Sequence, residues 1–259
     1  MSRPGGSTRR AVRHPVRVIS AETRDRTSLI RIDRHERRNA LDAEHCHALR
    51  QAVEEAVATG ARAVVVTGEG SSFCAGADLD TVYDDGFRAA LYGMLASITA
   101  APVPVVAAVN GPAIGAGTQI ALACDLRVAA PAAVFAVPTA RNGLAVDPWT
   151  VRRLALLAGG GPARALLLGA ASLDAQRAHA LGLVDRLADL DAALAWAAEI
   201  ATFAPLSLRY SKVALQALLE PGRWDSIVDE AFEACWLSED RVEGHLSRTQ
   251  RRPPRFQGR

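Results

Sequence analysis

The chain has 259 residues, 49% of them hydrophobic, enough to bury one large core. Its formal net charge is +2 with acidic and basic residues interspersed, so it carries no one-signed field of the kind that nucleic-acid binding calls for. No stretch approaches the ~18–20 unbroken apolar residues of a membrane-spanning helix, and the four cysteines (Cys46, Cys74, Cys124, Cys235) lack metal or redox spacing and read as free thiols of a reducing cytosol.

The N-terminal stretch from Met1 to about Pro15 is polar and Arg-rich, with no apolar run behind it; it is expected to be a flexible leader rather than a signal peptide. Val16–Ser20 and Ser28–Asp33 read as strands, with a hairpin across Thr23–Arg26. Leu49, Val53, Ala56 and Val57 space a helix from Ala43 to Thr59 that stops before Gly60. Ala61–Thr67 is a β-branched run suited to a strand buried on both faces. The Gly/Ser-rich loop Gly68–Asp80 leads to a helix ending near Ala100, and Val103–Val109 is a second buried strand. Asn110–Gly117 is a glycine-rich turn opening a helix to Ala123, and Leu126–Ala129 begins a third strand. After Pro148 the pattern is almost wholly helical to about residue 246, interrupted at Gly182 and Val184–Leu187. This alternation predicts a parallel sheet of βαβ units with a C-terminal helical extension.

Four segments carry a family resemblance: Arg34–Leu41 (RHERRNAL), Phe73–Leu79 (FCAGADL), Asn110–Asp125 (NGPAIGAGTQIALACD) and Ala178–Val184 (AHALGLV). Together they resemble the crotonase (enoyl-CoA hydratase/isomerase) superfamily, while neither glycine loop fits GxGxxG or a P-loop. The resemblance implies an α/β fold with a ββα superhelix core over 16–188 and a helical region over 189–259 that forms trimers or dimers of trimers. The Ala/Leu/Trp-rich segments Leu190–Phe203 and Trp224–Trp236 are the expected contact helices. The ligand it implies is a coenzyme A thioester, with no other cofactor and no metal. Such chemistry needs two backbone N–H groups aimed at one developing oxyanion, and small residues at both turns keep side chains out of the way. Carried over by position, the donors are the amides of Ala77 and Ala116, the latter at a helix start that favours negative charge. The acyl-CoA contacts implied are Arg38, Ala40, Ala75, Gly76, Ala77, Asp78, Leu79 and Ala116. Asp80 stands where a basic residue often meets the nucleotide, and Lys212, the only lysine of the chain, is either a phosphate contact or an exposed charge.

Hydratases of the superfamily use two glutamates, one to activate water and one to protonate carbon. Here Gln119 and Thr139, the latter after Pro138, stand at those positions. An amide has no useful basicity and a threonine hydroxyl is far too weak an acid. Each positioned acid or base is worth roughly 10²–10⁴ in rate, so the double loss removes most hydratase activity. Asp147 remains nearby in GLAVDPW. It fits the acid of some isomerases of the family, and equally a helix N-cap followed by proline at the first helical position. Trp149 beside it either lines an acyl pocket or packs. His45, His47, His179 and His245 have no ligand spacing, and there is no GxSxG.

Three functions follow from the resemblance. The first is a cytoplasmic acyl-CoA binding protein without hydratase activity, acting in fatty-acid metabolism, with lipid-synthesis proteins as partners. It resembles most a mycobacterial branch lacking the catalytic glutamates, a likeness that the closing RRPPRFQG strengthens. The others are a double-bond isomerase using Asp147 and a weak hydratase.

Overall fold

The computed structural model describes residues 19–219, 233 and 236–255. The first hairpin joins β1 (Ile19–Arg24) to β2 (Thr27–Ile32) in antiparallel register. Its turn is tighter than expected, only Asp25 and Arg26, because Asp25 takes a left-handed φ of 53° that an aspartate tolerates. β1 starts at Ile19 within the described residues, so the strand expected from Val16 is followed only from there. The expected leader lies outside the described residues, as does the expected contact helix Trp224–Trp236 apart from Glu233 and Trp236.

The central sheet has the order β1-β2-β3-β4-β6-β9, built with β3 (Ala63–Gly68), β4 (Val105–Val109), β6 (Leu126–Ala129) and β9 (Arg186–Leu187); all pairs after the first are parallel. The run AVVVTG of β3 is buried throughout. Successive side chains of a strand point to opposite faces. Val64 and Val66 enter the main core with α1 (Ala43–Ala58) and α2 (Asp85–Ala100). Ala63 and Val65 meet Ala193, Ala197 and Ala201 at α7 (Leu190–Ile200) on the other face. The apolar side of α7 is thus spent on the sheet of its own chain.

A second, three-stranded sheet was not foreseen. It pairs β5 (Pro112–Ile114) with β7 (Val134–Ala136) and β8 (Ser172–Asp174). β5 sits inside the segment expected to be a turn, and β8 interrupts the region expected to be wholly helical before Gly182. Three-residue strands carry too little alternation to be read from sequence. Between them lie α3 (Ala116–Ala123), α4 (Pro148–Ala158) and α5 (Gly160–Leu167), and α6 (Ala175–Ala180) follows β8. The chain continues in α8 (Pro205–Leu219) and α9 (Glu239–Thr249).

Lys212 of α8 corrects an expectation. It is not an exposed charge. It is buried, with Nζ 2.7 Å from Asp125 Oδ2 and donating to the carbonyls of Ile98 (3.1 Å) and Val103 (3.0 Å). A buried ammonium needs such a set of acceptors, and the set pins α8 to the end of α2. Arg127 does comparable work in β6, donating to the carbonyls of Leu183, Cys124 and Ala121 and pairing with Asp185.

Candidate functional site

A cavity of about 230 Å³ opens between the first glycine loop, the start of α3 and the inner side of α2. Ala75, Gly76, Ala77 and Leu79 form one wall, and Gly115, Ala116 and Gln119 the opposite one. Phe87, Leu91, Tyr92 and Trp236 close the apolar end.

Asn39 fixes the first loop. Buried, with a φ of 59°, it donates through Nδ2 to the carbonyls of Ser72 (2.7 Å) and Glu69 (2.9 Å) while Oδ1 accepts from the Arg34 amide. Arg34 also pairs with Asp78 at 3.0 Å. The loop amides of Ala75 and Asp78 are used internally, donating to the carbonyls of Arg38 and Leu41. The amides of Ala77 and Ala116 meet no acceptor among the described residues. Their closeness depends on Gly76, with a φ of 105°, where a Cβ would come 2.8 Å from the Ile114 carbonyl and 3.8 Å from the Ala116 nitrogen. α3 begins at Gly115 (φ 53°) without a side-chain cap, so its first N–H groups stay available to an anion.

The expected contacts divide. Ala75, Gly76, Ala77, Leu79 and Ala116 line the cavity, and so do Gln119 and Thr139. Asp78 does not; its carboxylate serves Arg34. Arg38 and Ala40 lie outside the lining: Arg38 is exposed in a left-handed turn with its carbonyl held by Ala75, and the Ala40 carbonyl accepts from Arg34. Asp80 is paired with Arg248 (3.3 Å) and Arg37 (3.4 Å), which hold its carboxyl below the usual range. Trp149 packs beneath Arg153, whose guanidinium lies 4.5 Å from the ring centroid, and is not part of the cavity wall.

Asp147 is the N-cap of α4, accepting from the Thr150 amide at 3.1 Å. It also accepts from the Thr150 hydroxyl (2.6 Å) and from Gln119 Nε2 (3.0 Å), which places it behind Gln119 rather than on the cavity wall. Burial pushes its carboxyl above the ordinary aspartate value, opposed by the Thr150 hydrogen bonds. No carboxylate lines the cavity among the described residues. The histidines serve elsewhere: His45 Nδ1 lies 2.7 Å from Asp42, and His179 Nδ1 lies 2.9 Å from the Val184 carbonyl. No group of three His, Cys, Asp or Glu among the described residues could hold a metal.

Phe87, Leu91, Tyr92 and Trp236 were not anticipated as lining, and neither was the anchor Asn39. Phe87 and Leu91 sit at i and i+4 on α2, a periodicity that announces a buried face without saying that the face borders a cavity.

The sequence profile described as enoyl-CoA hydratase/isomerase matches residues 22–259. A Mycobacterium tuberculosis protein named "Probable enoyl-CoA hydratase echA6" is 45% identical over 240 residues, covering 88% of this chain and 95% of its own. The crystal structure of an enoyl-CoA hydratase/isomerase from Pseudoalteromonas atlantica superposes with a TM-score of 0.79 at 30% identity, covering 93% of this chain and all (100%) of the other. Methylmalonyl-CoA decarboxylase complexed with 2S-carboxypropyl-CoA superposes at a TM-score of 0.84 over 93% of this chain and 98% of its own; at 23% identity this likeness speaks for the fold alone. With the profile spanning nearly all of the chain and the paired glycine loops facing one cavity, this protein belongs to the enoyl-CoA hydratase/isomerase family and has the crotonase fold.

Proposed function

We propose that this protein binds fatty acyl-CoA thioesters and lacks the acid/base pair for hydrating them. The observation that carries the reading is the cavity wall: Ala77 and Ala116, whose amides meet no acceptor among the described residues, both line a space with no carboxylate among its described lining residues. The amides supply the oxyanion contact for the thioester carbonyl, and the Phe87, Leu91 and Trp236 end receives the acyl chain. Gln119 and Thr139 stand at the two acid/base positions, where neither moves a proton effectively near neutral pH. The isomerase reading needs Asp147 to reach the ligand; its place behind Gln119 and its cap on α4 favour the binding reading instead.

The same reading includes a cytoplasmic homo-oligomer, a trimer or dimer of trimers, acting in fatty-acid metabolism with lipid-synthesis proteins as partners. Leu206, Tyr210 and Val213 form a stripe on α8 that is 60–79% exposed, a face suited to a second copy. The test is to titrate the purified protein with saturated, 2-enoyl and 3-enoyl-CoAs while following product and, by light scattering, mass. Binding without turnover by an oligomer is expected. Hydration of crotonyl-CoA at enzymatic rates overturns the binding reading, isomerisation abolished by Asp147→Asn replaces it, and a monomer at micromolar concentration removes the assembly.

A further inference from the structure

The acyl-CoA reading leaves one group in the cavity unexplained: the Gln119 side chain. It is 4% exposed and lines the cavity, yet its Nε2 is fully committed away from it, donating to Asp147 Oδ2 at 3.0 Å and to Thr150 Oγ1 at 2.8 Å. Neither Asp147 nor Thr150 lines the cavity. The corner of the amide left for the cavity is the carbonyl oxygen, which meets no donor among the described residues.

An amide in a pocket can turn end for end, and its orientation follows from its partners. Here the partners leave one choice. Every hydrogen bond shown to Asp147 comes from a donor: the Thr150 amide, the Thr150 hydroxyl and Gln119 Nε2, with the backbone amides of Asp147 and Trp149 beside them. A carboxylate that caps a helix with one oxygen and takes two donors on the other accepts only. The Thr150 hydroxyl spends its proton on Asp147, so its lone pair faces Gln119 as an acceptor too. Two acceptors behind the amide hold the NH2 group there.

We propose that Asp147 and Thr150 are positioning residues that lock the Gln119 carbonyl oxygen toward the cavity, making the site select thioesters with a hydrogen-bond donor on the acyl chain, a 3-hydroxyl group, over unsubstituted or 3-oxo chains. The inference rests on the acyl-CoA reading. With the thioester oxygen at the Ala116 amide, Gln119 is one helical turn further along the same face of α3, beside the first carbons of the acyl chain. A 3-hydroxyl donates to the waiting oxygen. A 3-oxo group sets acceptor against acceptor, and a saturated chain leaves the oxygen buried without a partner. Thr139, also in the wall, has a hydroxyl that rotates to donate or accept and so does not discriminate.

The experiment is calorimetric titration with 3-hydroxybutyryl-CoA, butyryl-CoA and acetoacetyl-CoA. Wild type is expected to bind the hydroxy ester about tenfold more tightly than the other two, the effect of one net hydrogen bond in an apolar site. Asp147→Asn keeps a cap oxygen for the Thr150 amide but turns an NH2 toward Gln119, so the amide reverses and the ratio of hydroxy to oxo affinity falls to about one or inverts. Gln119→Met removes the acceptor, and the ratio of hydroxy to saturated affinity falls to about one. Equal wild-type affinities overturn the proposal, as does the wild-type ratio persisting in a folded Asp147→Asn or in Gln119→Met. Failure of butyryl-CoA to bind wild type at all overturns the acyl-CoA reading instead.

Discussion

Replacing Gly117 by alanine tests whether the two glycine loops are held together as the proposed site requires. Gly117 follows Ala116 in the first turn of α3, and a Cβ there would lie 2.1 Å from the Cys74 carbonyl oxygen and 3.0 Å from both its carbonyl carbon and its Cβ. Ordinary contact begins more than about 1 Å further out, so the carbonyl must retreat by roughly that much. It cannot do so freely. The Cys74 carbonyl accepts from the Ile114 amide at 2.9 Å, the Cys74 amide donates to the Pro112 carbonyl at 3.1 Å, and an ångström of retreat breaks the first of these. Overpacking of this kind costs about 1–3 kcal/mol. Alanine's better helix propensity offsets up to about 1 kcal/mol, leaving a net loss of about 0–2 kcal/mol when that offset is fully realised. The same retreat carries Ala75–Ala77 away from Ala116, so butyryl-CoA affinity is expected to fall about tenfold or more. Urea unfolding and calorimetry measure the two effects. Gly161→Ala is the control, since nothing lies within 4 Å of its added Cβ. Wild-type stability and wild-type affinity in Gly117→Ala would refute the reasoning.

Lys212→Met leaves Asp125 buried without its cation and is expected to cost about 3–5 kcal/mol in urea unfolding. Because Lys212 lies away from the cavity lining, acyl-CoA affinity measured well below the unfolding transition should hold; an affinity loss without a stability loss would return Lys212 to the phosphates. The thiols of Cys74 and Cys124 are pushed up to about 12 by burial, and Cys46 is raised by the same cause. At pH 8 their thiolate fraction is about 10⁻⁴ or less, so site-resolved mass spectrometry should find all three unalkylated in the folded protein and alkylated in urea. Thiolate chemistry rises only as pH approaches the shifted value, so rapid native labelling near pH 8 would contradict the burial.

Much of this molecule was legible locally. The run Ala63–Gly68 announced a strand covered on both faces, because continuous β-branched residues have nowhere else to go than a two-sided core. The segments around Ala77 and Ala116 could be placed because a close approach of two backbones excludes side chains, and that exclusion is written in the residue types themselves. Gln119 and Thr139, singled out from register within two short segments, both line the cavity, and register within a short segment is a local property. What the sequence could not supply was the partner of each polar group. Asp147 followed by Pro148 spelled a helix cap, but only the folded chain brings Gln119, far upstream, onto its second oxygen. Lys212 looked like a surface charge until α8 laid it against Asp125 and two carbonyls. Trp236 and Phe87 share a cavity wall though nothing between them in sequence links them. Burial periodicity is set by a residue's own turn or strand, whereas a hydrogen-bond partner is chosen by whatever tertiary packing sets across from it, and that choice put Asp147 behind Gln119 rather than on the cavity wall.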